Sequence, residues 1–184
     1  MDSLYLHYFN RGVNRAAIVF DEENYLYLIN LMYRFLPLYK IELIAYCLMP
    51  NHYHILLQEY ESKQASRFIQ RIFNAYTQAV NNRYSRVGTL FQGSVKHTEI
   101  PSLEDLATVI EYIHQNPVAA GLVRDASQWK YSDYNEWTGK VVSSRKVGKY
   151  RKLIFGSVDD CFKNNTLIHE KVKETLFMTT GEDI

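Results

Sequence analysis

"KIELIAYCLMPNHYHILLQEY", residues 40–60, is the stretch whose reading decides the fold. An apolar run reaches Met49, Pro50-Asn51 breaks it, and a second apolar run returns from His52. Two such runs around a turn read as paired strands. Successive strand side chains alternate between faces. His52 and His54 therefore share a face, roughly 7 Å apart at two strand rises. Tyr53, Ile55 and Leu57 point the other way, toward a core. Two imidazoles on one face can converge on a divalent cation. They can equally be polar residues on a solvent-facing strand, and the spacing alone leaves both readings open.

Outward from this hairpin the pattern alternates. "LYLHYFNRG" (4–12) reads as a strand ending in a turn at Arg11-Gly12, and "RAAIVF" (15–20) as a short second strand. Asp21 caps a helix to about Leu36, striped by Tyr25, Leu28, Ile29, Met32 and Phe35. After the hairpin, "SRFIQRIFNAYTQAVNNRYS" (66–85) is helical and "GTLFQGSVKHTEI" (88–100) is a strand. "SLEDLATVIEYIHQN" (102–116) is a helix that opens on a Ser102-x-x-Asp105 capping box and stops at Pro117. This order predicts an α+β, ferredoxin-like (RRM-like) sandwich: an antiparallel sheet with helices packed on one face. A C-terminal, mostly helical extension over 125–184 follows a domain over 1–124. It holds a basic loop at 139–152 and a helix across the last 30 residues.

A 184-residue chain that is 47% hydrophobic suits one domain with a real core and a small appendage. It has no apolar run long enough for a membrane helix, and "MDSLYLHYFNRG" lacks the form of a secretory signal. Cys47 and Cys161 make neither a metal pair nor a disulfide framework, so the cytoplasm is the expected compartment. The net charge of +1 hides an uneven distribution. Residues 62–98 carry Lys63, Arg67, Arg71, Arg83, Arg86 and Lys96 with no acid, and 139–152 carries a second acid-free basic block. Such blocks point to a polyanion partner or to a solvated charged face. On the 102–116 helix, Tyr112 and Asn116 are an i, i+4 pair on the shoulder of the apolar stripe. A phenol and an amide oxygen there could complete a two-histidine site. The plain alternative is that Tyr112 is a core-edge tyrosine, one of 15.

Four stretches, "YFNRGVNRAAIVFDEENY", "AYCLMPNHYHILLQ", "RVGTLFQGSVK" and "VIEYIHQNPVAAGLV", carry a resemblance to the single-tyrosine HUH transposases, and among them to the REP-associated tyrosine transposases. They span roughly residues 8–123, and "CLMPNHYH" followed some sixty residues later by "YIHQNPVAAGLV" is far more specific than His-x-His alone. The resemblance implies that His52, His54 and Asn116 hold Mg²⁺ or Mn²⁺ and that Tyr112 is the nucleophile. The reaction implied is nicking and joining of single-stranded DNA through a 5′-phosphotyrosine. The partner implied is single-stranded DNA with a hairpin beside the cleavage site, met by a monomer or a homodimer. Tyr8, Asn10, Arg11 and Asn14 would read a short guide sequence. Arg67, Arg71, Arg83, Arg86 and Lys96 would neutralise phosphates, and the 139–152 loop would add a backbone clamp. Two positions depart from the family pattern: Tyr53 replaces an aliphatic residue, and Ser94 stands where relatives often carry arginine. Two other readings remain open: a water-using metal nuclease, and a non-catalytic nucleic-acid-binding protein such as a domesticated transposase.

Overall fold

The structure is a computed structural model that describes residues 3–157. Four strands, β1 (Leu4–Arg11), β2 (Ile41–Leu48), β3 (His52–Glu59) and β4 (Lys96–Ile100), form one sheet in the order β2-β3-β1-β4. Every neighbouring pair is antiparallel. The helices are α1 (Glu22–Phe35), α2 (Gln64–Arg83), α3 (Leu103–Ala119), α4 (Tyr134–Trp137) and α5 (Val147–Phe155). The element order and sheet are those of the α+β sandwich expected from the sequence. The expected helix over the last 30 residues falls on positions beyond 157, outside the described residues.

Helices cover both faces of the sheet, where the pattern predicted one. Leu6, Tyr8, Tyr53, Ile55 and Leu57 face α1 and α2 and make one core. Phe9, Leu56, Ile44, Ala45 and Cys47 face α3 and make a second core, completed by Trp137, Val147 and Tyr150. The reason is visible in β3, whose residues from Tyr53 to Glu59 are all buried. A strand buried on both faces reads as a continuous apolar run rather than an alternation. A β-bulge between Leu43 and Ala45 turns both Ile44 and Ala45 toward the second core. The backbone carbonyls beside it are taken up from the extension: Trp137 Nε1 donates to Ile44 O (3.1 Å) and Arg145 Nη1 to Leu43 O (3.1 Å). Farther along β2, Leu48 N donates to Tyr131 O (3.0 Å) and Asp133 N to Tyr46 O (3.3 Å).

Four local expectations are corrected. Residues 15–20 are not a strand, because Ile18 N and Val19 N donate to Pro50 O at the hairpin turn (2.8 and 3.1 Å). Gly12 is fixed by the same packing, since a Cβ there would stand 2.0 Å from Ala16 O. The strand expected over 88–100 is confined to Lys96–Ile100, because Gly88 (φ 93°) and Gly93 (φ 63°) take left-handed conformations. Pro117 does not stop α3, which runs on to Ala119. Proline leaves the Ile113 carbonyl without its usual donor, and Asn116 Nδ2 approaches that oxygen at 3.4 Å while bonding Tyr112 O at 2.8 Å. Gly121 (φ 68°) then ends the helix, with Leu122 N on Pro117 O and Gly121 N on Val118 O (both 2.9 Å). Finally, the 139–152 segment is not an open basic loop. Part of it is α5, with Val147 and Tyr150 buried. Arg145 pairs with Asp133 (2.6 Å) and Glu136 (3.0 Å), and Lys146 pairs with Glu42. The Arg145 charge is committed inside the protein, so the expected backbone clamp is withdrawn for Arg145, whereas the Lys146 pair lies at the surface.

Candidate active site

Cross-strand register places the site. Arg11 stands opposite His52, and Phe9 opposite His54, all on the face that α3 covers. His54 is fully buried and its ring lies 5.2 Å from that of His52 and 5.3 Å from that of Tyr112, edge-on in both cases. The Asn116 side chain hydrogen-bonds both the His52 ring and the Tyr112 hydroxyl. Its nitrogen bonds the Tyr112 carbonyl, and because its effect lowers the phenol the nitrogen is also the atom that faces the hydroxyl, while the oxygen, which raises His52, faces that ring. His52, His54, Tyr112 and Asn116 thus lie together within one chain.

Burial sets the protonation states. It pulls His52 down to about 4, against a smaller opposing effect of the Asn116 hydrogen bond. A neutral imidazole has the lone pair that a cation requires. Burial also raises the Tyr112 phenol well above its ordinary 10.0, and the Asn116 hydrogen bond opposes that rise. The phenol is therefore protonated at neutral pH. It is 2% exposed. No cluster of three His, Cys, Asp or Glu side chains suited to a metal occurs among the described residues. The donor set here is instead two imidazoles and an amide oxygen. Imidazole donors suit transition-metal ions, and a three-donor set leaves open positions for oxygen ligands.

A second feature opens on the opposite face at the same end of the sheet. A groove of about 660 Å³ runs between α2 and residues 89–95. Gln70, Asn74 and Gln78, four residues apart on α2, line it with Asn10, above Tyr53 and Phe91. The lining holds amides and hydroxyls and no charged side chain. Amides match the hydrogen-bonding edges of bases.

The other expected DNA contacts divide. Asn10 lines this groove, Arg11 bonds Gln92 at its rim (3.1 Å), and Asn14 is exposed in a left-handed turn. Arg67 and Arg71 are exposed on α2, with the Arg71 guanidinium 4.9 Å over the Phe35 ring. Lys96 opens β4 opposite Phe9. Tyr8 is 2% exposed and packs in the first core. Arg83 pairs at the surface with Asp21, the cap of α1 (2.9 Å), and with Glu23. Arg86 lies over the Phe20 ring at 5.4 Å.

Two groups were not singled out from the sequence. His7 on β1 is fully buried with its Nε2 3.0 Å from His54 Nδ1, and burial alone pulls it down to about 3. Only strand register, which the sequence does not print, brings it there. The second is the buried trio His114, Asp133 and Arg145. His114, on α3 two residues past Tyr112, meets Asp133 at 2.8 Å, and Asp133 meets Arg145 at 2.6 Å.

Comparison with known proteins adds three findings. Residues 1–116 match the sequence profile of a family described as "Transposase IS200 like". A curated Haemophilus influenzae protein named as a REP-associated tyrosine transposase is 30% identical over 107 residues, covering 53% of this chain and 61% of that protein. The chain thus spans about three fifths of that relative's length. A solved REP-associated tyrosine transposase bound to a REP hairpin superposes with a TM-score of 0.63 at 19% identity, over 75% of this chain and 80% of that one. At that identity the match speaks for the fold.

Proposed function

We propose, from the premise that the chain belongs to the IS200-like transposase family, that it is a metal-dependent endonuclease and strand transferase acting on single-stranded DNA. The observation that carries this reading is the Asn116 amide touching both His52 and Tyr112, with His54 alongside. His52, His54 and Asn116 would hold Mg²⁺ or Mn²⁺. When bound, that ion supplies Lewis-acid polarisation of the scissile phosphate and offsets developing charge. Tyr112 Oη attacks phosphorus, the bond to O3′ breaks, and the products are a 5′-phosphotyrosyl enzyme and a free 3′-OH. The phenol proton must leave as the P–O bond forms, and the departing 3′ oxygen takes one up. A second 3′-OH reverses the step and joins a new strand. Asn116, bonded to the carbonyl of Tyr112 and to its hydroxyl, holds the phenol on its rotamer.

The DNA reading extends from the hairpin-bound relative. Unpaired bases would lie in the amide-lined groove, and the backbone would follow Arg67 and Arg71. Each phosphate neutralised on a single strand contributes about 0.7 to the slope of log K against log salt. Arg67→Ala with Arg71→Ala should therefore flatten that slope by about 1.4. Fluorescence anisotropy across a salt series checks it, and an unchanged slope removes this face from the interface.

The test of the metal is cleavage of single-stranded DNA bearing the element's own end. EDTA, and separately His52→Ala, should abolish cleavage while hairpin binding stays within a few-fold, because phosphate contacts supply most of the affinity. Wild-type cleavage in EDTA refutes the metal assignment.

A further inference from the structure

His7 takes no part in the chemistry above, yet its placement is specific. It is an imidazole with no exposure, on the β1 face that meets α3. Its ring stacks on His54 with centroids 5.1 Å apart at 23°, beside Phe9 at 5.2 Å and edge-on to Tyr112 at 6.4 Å. Burying a polar ring among aromatic neighbours is unfavourable unless it is hydrogen-bonded. Here the bond runs between His7 Nε2 and His54 Nδ1 at 3.0 Å.

Two neutral imidazoles joined in this way share one hydrogen, and there are two ways to place it. If His7 Nε2 donates, His54 carries its own hydrogen on Nε2, and that nitrogen cannot ligate. If His54 Nδ1 donates, His54 Nε2 keeps its lone pair. We infer that His7 is a positioning residue: it accepts the His54 Nδ1 hydrogen and thereby leaves Nε2 of His54 as the nitrogen that binds a divalent cation. The inference rests on the metal reading proposed above. Both arrangements carry the same number of protons, so nothing is taken up or released between them. The binding arrangement places a hydrogen on His7 Nδ1, which has no hydrogen-bond partner among the described residues. That atom lacks a partner in either arrangement, so the bond from His54 Nε2 to the cation is what selects the binding one. Outer-shell hydrogen bonds of this kind orient metal-binding histidines throughout biology.

The experiment measures Mn²⁺ affinity by electron paramagnetic resonance of the free ion, on the full chain without DNA. Loss of an outer-shell partner typically weakens metal binding by about 10- to 100-fold. His7→Phe, which keeps a flat ring in the same space, should show a loss of that size with hairpin-DNA affinity unchanged. His7→Gln, which keeps an acceptor, should recover most of the affinity and covers the case in which the phenylalanine variant folds poorly. Nitrogen-detected NMR of the Mg²⁺-loaded wild type should show His54 protonated at Nδ1. Equal Mn²⁺ affinity in wild type, His7→Phe and His7→Gln overturns the role of His7 and leaves the metal site standing. A wild type whose weak Mn²⁺ binding is unchanged by His52→Ala overturns the metal reading itself, and the inference with it.

Discussion

Replacing Tyr112 with phenylalanine is expected to abolish the covalent protein–DNA adduct while the fold and DNA affinity persist. The change removes one oxygen and almost no volume. The ring remains in the second core against Ile113 and the rings of His7 and His54. The Asn116 contact to the hydroxyl is lost, at a net cost of about 1 kcal/mol, while its bond to the Tyr112 carbonyl is untouched. Removing a covalent nucleophile lowers turnover by on the order of 10⁴- to 10⁶-fold. Wild-type protein with Mn²⁺ and single-stranded DNA should give a band that survives SDS and boiling, and Tyr112→Phe should give none. The burial of Tyr112, at 2% exposure, makes this the decisive variant, because a structural tyrosine would look the same from outside. An adduct in Tyr112→Phe moves the nucleophile elsewhere. Cleavage without an adduct assigns the attack to water.

The second large effect is on stability. Asp133 is fully buried and accepts from Tyr46 N (2.8 Å), His114 Nε2 (2.8 Å) and Arg145 Nη2 (2.6 Å). Removing one partner of a buried ion pair leaves the other charge uncompensated, at a cost of about 3–5 kcal/mol. Glu136, which also meets Arg145 at 3.0 Å, keeps the loss toward the lower end for Asp133→Ala. That is still a large share of a typical domain stability of about 5–15 kcal/mol. Burial pushes the Asp133 carboxyl up, but Arg145, the His114 hydrogen bond and the Tyr46 amide together bring it below its ordinary 3.8. A carboxylate depressed in the folded state contributes fully above its unfolded pKa and loses that contribution as pH falls through the folded value. Urea denaturation should therefore show a constant gap between wild type and Asp133→Asn from pH 7 to 5, narrowing only below the ordinary value of 3.8. His7 and His52 act in the opposite range. Both are neutral when folded, so the unfolded chain gains protons first as pH drops below 6.5, and both proteins lose that stability alike. A gap that closes between pH 7 and 5 would show that Asp133 is not the group responsible.

Much of this site was legible in the sequence because its signals are local. His52 and His54 share a face by strand alternation, and Tyr112 and Asn116 by helical spacing, so each pair is fixed within five residues. What sequence spacing cannot supply is the register between segments. His7 meets His54 across 47 positions, and Asp133 meets His114 across 19. Partners within the basic blocks were hidden for the same reason. Arg83 and Arg145 stand among cations in the sequence and among carboxylates in space, because their acids come from α1 and from α4 with the residue before it. The second core was hidden because a strand covered on both faces shows no alternation to read.

The chain segment at Tyr131–Asp133 that bonds along β2 has one more consequence. β2 ends the sheet on that side, and an end strand with unpaired backbone groups is a template for a foreign strand. Leu48 N, Tyr46 N and Tyr46 O are all occupied from the extension, and the bulge at Ile44 bends what remains. Such a margin is closed to edge-to-edge addition by a second copy. A fragment cut at 124 would lose that cover together with Trp137 and Tyr150, baring an apolar face and a bonding edge at once. The extension thus covers, in one piece, an apolar face and a bonding edge of the same sheet.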